Sequence, residues 1–195
     1  DITATVEKRK TLVALVTKVA KEINIPFTVG GGISSVEDVA ALVKAGADKV
    51  SINSAAVKNP DLIKDIAHHF GSQCLVVAID TKYEDSDWWV YTHGGRKKTE
   101  LKTIERLGGG EILLTSMNSD GTKHGFSIDI VKKVSEAISL PVIASGGAGT
   151  VAHFKEVFEQ TKATGGLAAS IFHFNEIPIP DLKAYLSSNN ISVRK

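Results

Sequence analysis

Two glycine-rich turns stand 115 residues apart, each closing an apolar stretch. The first is Ile25-Pro26-Phe27-Thr28-Val29-Gly30-Gly31-Gly32-Ile33 and the second is Leu140-Pro141-Val142-Ile143-Ala144-Ser145-Gly146-Gly147-Ala148. Each leads into a helix-like stretch and then a second strand ending in small polar residues. These are Ser51-Ile52-Asn53-Ser54 in one copy and Leu167-Ala168-Ala169-Ser170 in the other. A glycine turn at a strand's carboxyl end lets backbone N–H groups approach a phosphate closely, and the next helix adds its positive end. Two such turns predict a ligand with a phosphate at each end. The Asn53 amide and Ser54 hydroxyl suit a phosphate or a sugar; the plainer alternative is a local turn hydrogen bond.

Asp80 closes the apolar run Leu75-Val76-Val77-Ala78-Ile79. Active sites of parallel α/β folds lie at the carboxyl ends of strands, so a carboxylate there is a candidate general acid or base, the alternative being a capping Asp. The same offset of 115 puts the counterpart of Asp80 before residue 1, so of two opposed carboxylates this chain would supply one. Asp120-Gly121-Thr122 follows strand Glu111–Thr115 and is either a plain turn or a loop facing substrate. Lys49 and Glu111 stand at strand starts, on the opposite face, where charges serve stability or a partner. If both point inward, they pair across the barrel bottom.

Other reactive residues carry less. The six His residues show no metal-ligand spacing, and His68-His69 and His173 read as structural. Cys74, the only cysteine, allows no internal disulfide, reads as a buried filler and fits a reducing cytoplasm. No G-x-G-x-x-G opens a helix ahead of an acidic residue, so a dinucleotide is not expected. Trp88, Trp89 and Tyr91 read as the core of a small hairpin, the alternative being a stacking surface for a ligand.

The elements that must position these residues alternate. The spacing predicts helices over Thr11–Glu22, from Ser35 to Gly46, from Pro60 to Gly71, over Ile128–Ile138 and Val151–Gln160, and near Asp181–Ser187. Between them lie strands Phe27–Val29, Asp48–Ile52, Cys74–Ile79, Glu111–Thr115, Val142–Ala144 and Gly166–Ala169, with Asp1-Ile2-Thr3 as the tail of another. A hairpin over Lys82–Thr92 and a short helix from about Thr99 to Leu107 interrupt the pattern. Alternating β and α elements imply a parallel sheet, and a duplicated four-strand half favours an eight-stranded barrel over an open sheet. The expected fold is an α/β (βα)8 TIM barrel, a single domain over residues 1–195, lacking its first strand and most of its second. The chain opens on Asp1 rather than Met, and the expectation is a fragment or the ordered part of a longer protein.

Composition limits the function classes. The chain has 195 residues, 43% of them hydrophobic, and a formal net charge of +1 with scattered Lys and Arg. This argues against a nucleic-acid or membrane surface, and no apolar run approaches the ~20 residues that span a bilayer. No signal peptide is visible.

Seven segments in order carry a resemblance: Val29–Ile33, Gly46–Asn53, Val77–Asp80, Gly110–Ser116, Asp120–Thr122, Ala144–Gly149 and Ala168–Phe174. Together they resemble, over the whole chain, the cyclase subunit of imidazole glycerol phosphate synthase, of histidine biosynthesis. The resemblance implies a (βα)8 barrel that takes a bisphosphorylated ribulosyl aminoimidazole carboxamide ribonucleotide (PRFAR) plus ammonia. The products are imidazole glycerol phosphate and a carboxamide ribonucleotide (AICAR). It implies no metal or redox cofactor, and a glutaminase subunit docked at the amino-terminal face that feeds ammonia through the barrel. Asp80 then matches one of two catalytic aspartates. Gly32, Asn53 and Ser54 match one phosphate site, and Asp120, Gly121, Gly147, Ala169 and Ser170 match the region of the other; Gly31, Thr122, Ser145 and Gly146 are counted with them as substrate- or phosphate-binding. Lys49 and Glu111 match part of the ammonia gate, and Asp48 faces the glutaminase. With the first strand missing and the helix after Thr99 short, the polypeptide as written is expected not to run the full cyclisation.

Two alternatives stand beside this reading. The related isomerase of the same pathway shares the duplicated barrel and a bisphosphate substrate; Phe172-His173-Phe174 and Glu111-Ile112-Leu113-Leu114 favour the cyclase. The other is a non-catalytic barrel fragment that binds only phosphate or the glutaminase.

Overall fold

The computed structural model describes residues 13–102 and 109–194, which fall into two compact units. One holds the chain up to Asp80 together with Trp89–Ile112; the other holds Thr81–Trp88 and Leu113 onward.

The first unit begins with α1 (Val13–Glu22), β1 (Thr28–Gly30), α2 (Val36–Lys44), β2 (Lys49–Ile52), α3 (Ser54–Lys58) and α4 (Asp61–Phe70). It also takes the first part of β3 (Leu75–Glu84), most of β4 (Asp87–Thr92), β5 (Lys97–Lys102) and the start of β6 (Glu111–Ser116). Strands β1, β2 and β3 pair in parallel, with Val29 opposite Val50 and Val50 opposite Leu75. All three side chains are buried, as expected of a parallel sheet covered by helices. Helix α2 starts where it does because Ser35 and Asp38 form a capping box. The Asp38 N–H donates to Ser35 Oγ at 3.2 Å, and the Ser35 N–H donates to Asp38 Oδ2 at 3.2 Å. It ends in a Schellman turn, with Gly46 N–H on the Val43 carbonyl and Ala47 N–H on the Leu42 carbonyl. Val39 and Leu42 of α2, and Leu62 and Ile66 of α4, are buried where the two helices pack together.

Three expectations need correction here. Cys74 lies not in a strand but in the 3-10 turn Ser72–Cys74, where it is half-buried. The strand it was expected to open begins at Leu75 and runs on past Asp80 to Glu84. The predicted hairpin is a three-stranded meander: β3 turns into β4 through Asp85 (φ 52°) and Ser86 (φ 63°), and β4 pairs antiparallel with β5. Two successive left-handed residues match the twist of the flanking strands. Strand β5 also displaces the first part of the helix expected over 99–107. Thr99 Oγ1 donates to the Val90 carbonyl at 2.8 Å and the Lys98 ammonium sits 4.5 Å from the Trp89 ring centroid, so cross-strand partners decide the conformation. The rest of that helix, like the Asp1–Thr3 strand tail, lies outside the described residues.

Asp85 and Ser86 both sit at positive φ, which is disfavoured for a non-glycine residue and more so for Ser than for Asp. Ser86→Gly is expected to stabilise the protein by about 0.5–1 kcal/mol, seen as a higher melting temperature in calorimetry; an unchanged or lower value would mean the turn is held by other contacts.

The second unit continues with the rest of β6, α5 (Ile128–Ala137), β7 (Val142–Ser145), α6 (Val151–Gln160), β8 (Gly165–Leu167), α7 (Ser170–His173) and α8 (Ile179–Ser188). Strands β6, β7 and β8 are neighbours in that order, and β7 pairs with β8 in parallel, Ser145 opposite Leu167. Phe154 of α6 anchors the core, with Phe126 edge-on at 5.3 Å and Phe172 at 5.9 Å between ring centroids. Strand β8 stops at Leu167, two residues short of the expected Ala169, and a one-turn helix follows. Helix α3 is its counterpart after β2, and neither short helix was anticipated. Among the described residues, no helix is long and apolar enough to cross a membrane.

Candidate active site

In the first unit, Asp80 stands three residues beyond the last pair joining β2 to β3, Ile52 with Val77. The chain of β2 leaves the sheet at the same level as Asn53, which caps α3: its carbonyl accepts from the N–H groups of Ala56 at 3.0 Å and Val57 at 3.3 Å. That geometry turns the Asn53 side chain toward β3. Its Nδ2 donates to Asp80 Oδ2 at 3.0 Å. The other end of the amide, Oδ1, is buried with no hydrogen-bond partner among the described residues. Asp80 itself is half-buried. Two expected site residues, 27 positions apart, are therefore joined directly.

Ser54 follows as the first residue of α3, and its Oγ accepts the His93 N–H at 2.8 Å. This contact brings the β4–β5 turn onto Ser54, a link that nothing in the local sequence announces. Gly31 (φ 98°) and Gly32 (φ 73°) follow directly on β1, so that strand gives way to a left-handed turn before the α2 cap.

At the other end of these strands, Lys49 Nζ and Glu111 Oε2 lie 2.9 Å apart. Lys49 opens β2 and Glu111 opens β6, with β3 between them in the sheet. Both side chains are largely shielded, so the pair is less weakened by solvent than an exposed one. Asp48 is exposed, but its carboxylate is already engaged within the fold. Its Oδ2 accepts the Phe27 N–H at 2.8 Å, tying the entrance of β1 to that of β2.

The second unit assembles its own turn. Beyond β6, the Asp120 N–H donates to the Ser116 carbonyl at 2.9 Å and the Thr122 N–H to the Ser119 carbonyl at 3.0 Å. Gly146 rests against this turn, because a Cβ there would come within 2.6 Å of the Ser116 carbonyl oxygen and 3.4 Å of Asp120 Cβ. The Gly147 carbonyl accepts the Gly125 N–H at 2.8 Å. Ser145, Gly146 and Gly147 are all buried, whereas Asp120, Gly121 and Thr122 are exposed. The Thr122 hydroxyl is taken up locally: it donates to the Ser119 carbonyl at 2.7 Å and accepts the His124 N–H at 3.3 Å. Because Ser145 pairs with Leu167, Gly147 and Ala169 each lie two residues beyond one register pair, and Ala169-Ser170 caps and opens α7.

Two residues that the sequence does not single out, His93 and His153, stand at these turns. His93 touches Ser54 through its backbone, which no side-chain pattern could show. His153 is the third residue of α6 and accepts the N–H groups of Gly149 and Thr150 on its Nδ1. Its position three residues after Thr150, where capping boxes place an acceptor, was the available clue.

Comparison with known proteins shows the family. The family model described as "Histidine biosynthesis protein" matches residues 1–178. The chain is 57% identical over 201 residues to "Imidazole glycerol phosphate synthase subunit HisF" of Cytophaga hutchinsonii, covering all of this chain and 80% of that protein. It is likewise 57% identical to the protein of that name from Hydrogenobaculum sp. and 54% identical to the one from Geobacillus thermodenitrificans, with the same coverage of each. Parallel βα order, paired glycine turns and identity along the whole chain concur: the chain belongs to the histidine biosynthesis protein family, a (βα)8-barrel family, and within it to the cyclases that bear the HisF subunit name.

Proposed function

We propose that the chain acts as the cyclase subunit of imidazole glycerol phosphate synthase, converting PRFAR and ammonia into imidazole glycerol phosphate and AICAR. The observation that carries this reading is the joining of Asp80 to Asn53 where β2 leaves the sheet, in a chain 57% identical to HisF subunits. Ring closure forms C–N bonds from ammonia, releases one water and breaks the C–N bond that frees AICAR. Each step needs a proton delivered or removed. Asp80, as one of two catalytic aspartates, is assigned to this proton exchange, held in place by the Asn53 amide. One phosphate is assigned to Gly31, Gly32, Asn53 and Ser54. The other is assigned to Asp120, Gly121, Thr122, Ser145, Gly146, Gly147, Ala169 and Ser170. The Lys49–Glu111 pair, at the strand starts, is assigned to the ammonia entrance, and Asp48 to the face that meets a glutaminase subunit.

The test is a pair of assays on the whole subunit with ammonium as nitrogen source. Conversion of PRFAR to AICAR, without isomerisation of its aldose precursor, is the expected outcome. Isomerisation alone would move the chain to the sister enzyme, and neither reaction would overturn the catalytic assignment.

A further inference from the structure

The half-buried imidazole of His153, in the second unit, is not used by the chemistry above. It lies at the third position of α6, a ten-residue helix that starts directly after the Gly146-Gly147-Ala148-Gly149 turn and its cap Thr150. Its Nδ1 accepts two backbone donors, Gly149 N–H at 3.1 Å and Thr150 N–H at 3.3 Å. A backbone amide can only donate, so Nδ1 carries no proton and the ring proton of the neutral form resides on Nε2. The other edge of the ring faces Gly125, where a Cβ would meet His153 Cδ2 at 3.5 Å and Nε2 at 3.7 Å. Gly125 in turn donates its N–H to the Gly147 carbonyl at 2.8 Å. The ring is therefore bonded to the end of the glycine turn at Gly149 and lies beside Gly125, which is itself bonded to Gly147. Lys123, in the adjoining loop, is engaged elsewhere, since its Nζ lies 2.7 Å from both carboxylate oxygens of Glu176.

The chemistry of the residue matters as well as its place. The third helical position is the usual seat of a Glu or Gln that accepts the cap N–H. A glutamate would cap α6 equally well but would set a negative charge beside a turn that receives a dianion. A neutral imidazole nitrogen caps without that repulsion. We propose that His153 is a positioning residue for the second phosphate site, holding the Gly146–Gly149 turn in place through an uncharged acceptor. The proposal rests on the reading that this turn binds phosphate.

The test follows the Gly146 and Gly147 amide resonances of the whole chain during titration with inorganic phosphate, with a melting curve for each variant. His153→Gln, a neutral acceptor, is expected to keep both stability and phosphate affinity. His153→Leu is expected to lower both. His153→Glu separates the roles: stability is retained while phosphate affinity falls about fivefold to tenfold through like-charge repulsion. Unchanged affinity in His153→Glu, or in a folded His153→Leu, would reduce the residue to a helix cap and overturn the proposal. No response of Gly146 or Gly147 in the unaltered protein, at any phosphate concentration, would instead remove the phosphate reading on which it stands. In the unaltered protein, a nitrogen-15 shift of His153 Nδ1 typical of an unprotonated acceptor is the accompanying signature; a protonated Nδ1 would contradict it.

Discussion

Asp80→Asn, made in the whole subunit, is expected to cut ammonium-dependent turnover of PRFAR by about 10²–10⁴-fold, the range that a positioned general acid or base contributes. The substitution is nearly isosteric, and the new amide oxygen can still accept the Asn53 Nδ2 hydrogen now donated to Asp80 Oδ2 at 3.0 Å. The strand on either side is set by buried apolar residues, Ile79 among them, so the fold and its melting temperature should hardly move. What disappears is the capacity to exchange a proton. The loss should therefore fall on kcat, with KM nearly unchanged, since the assigned phosphate contacts are left intact. A variant that keeps turnover within tenfold of the unaltered enzyme would take Asp80 out of the acid/base role.

Gly147→Ala should be the most disruptive single methyl in the second unit. Gly147 sits at φ 101°, a conformation that strains any residue with a side chain, and the added Cβ would overlap the Gly125 carbonyl oxygen and come within 2.9 Å of Ser119 Cβ. The obstacle is backbone, which cannot swing aside as a flexible side chain would. A loss of about 2–4 kcal/mol is expected, from strain and overpacking together, read as a shift of the urea midpoint. The control is Gly121→Ala. Gly121 is also at positive φ, 76°, but a Cβ there meets nothing within 4 Å, so only the backbone penalty of about 1 kcal/mol applies. Equal effects at the two positions would show that conformation alone, not the close approach to Gly125, makes glycine necessary at 147.

The glycine turns were legible because their chemistry is local: a strand, two or three glycines, and a capping residue lie within ten positions of one another. Asp80 stood out in the same local way, as the first charge after five apolar residues, but its place mid-strand rather than at the strand's end was not legible. What escaped depends on distant partners. Residues 97–102 are mostly Lys, Thr and Glu, with no strong preference of their own. Their strand conformation comes from Trp89, Tyr91 and Thr92, whose register with Lys102, Lys98 and Lys97 joins residues 5 to 13 positions apart. The contact of Ser54 with His93 spans 39 positions and uses a backbone donor, so no residue type could betray it. Likewise Cys74, at the edge of an apolar run, follows the strand's periodicity, whereas the chain is still completing the turn that follows Gly71.

The length of β3 has a further consequence, for protein engineering. Asp80 lies mid-strand rather than at a loop, and the turn at Asp85-Ser86 is five residues farther on, about 15 Å along the chain. A tag, fluorophore or grafted peptide inserted at that turn would hang from the far end of a hydrogen-bonded ribbon. The Asp80 carboxylate is held by the Asn53 amide and not by that turn, which makes the turn a place to attach a reporter.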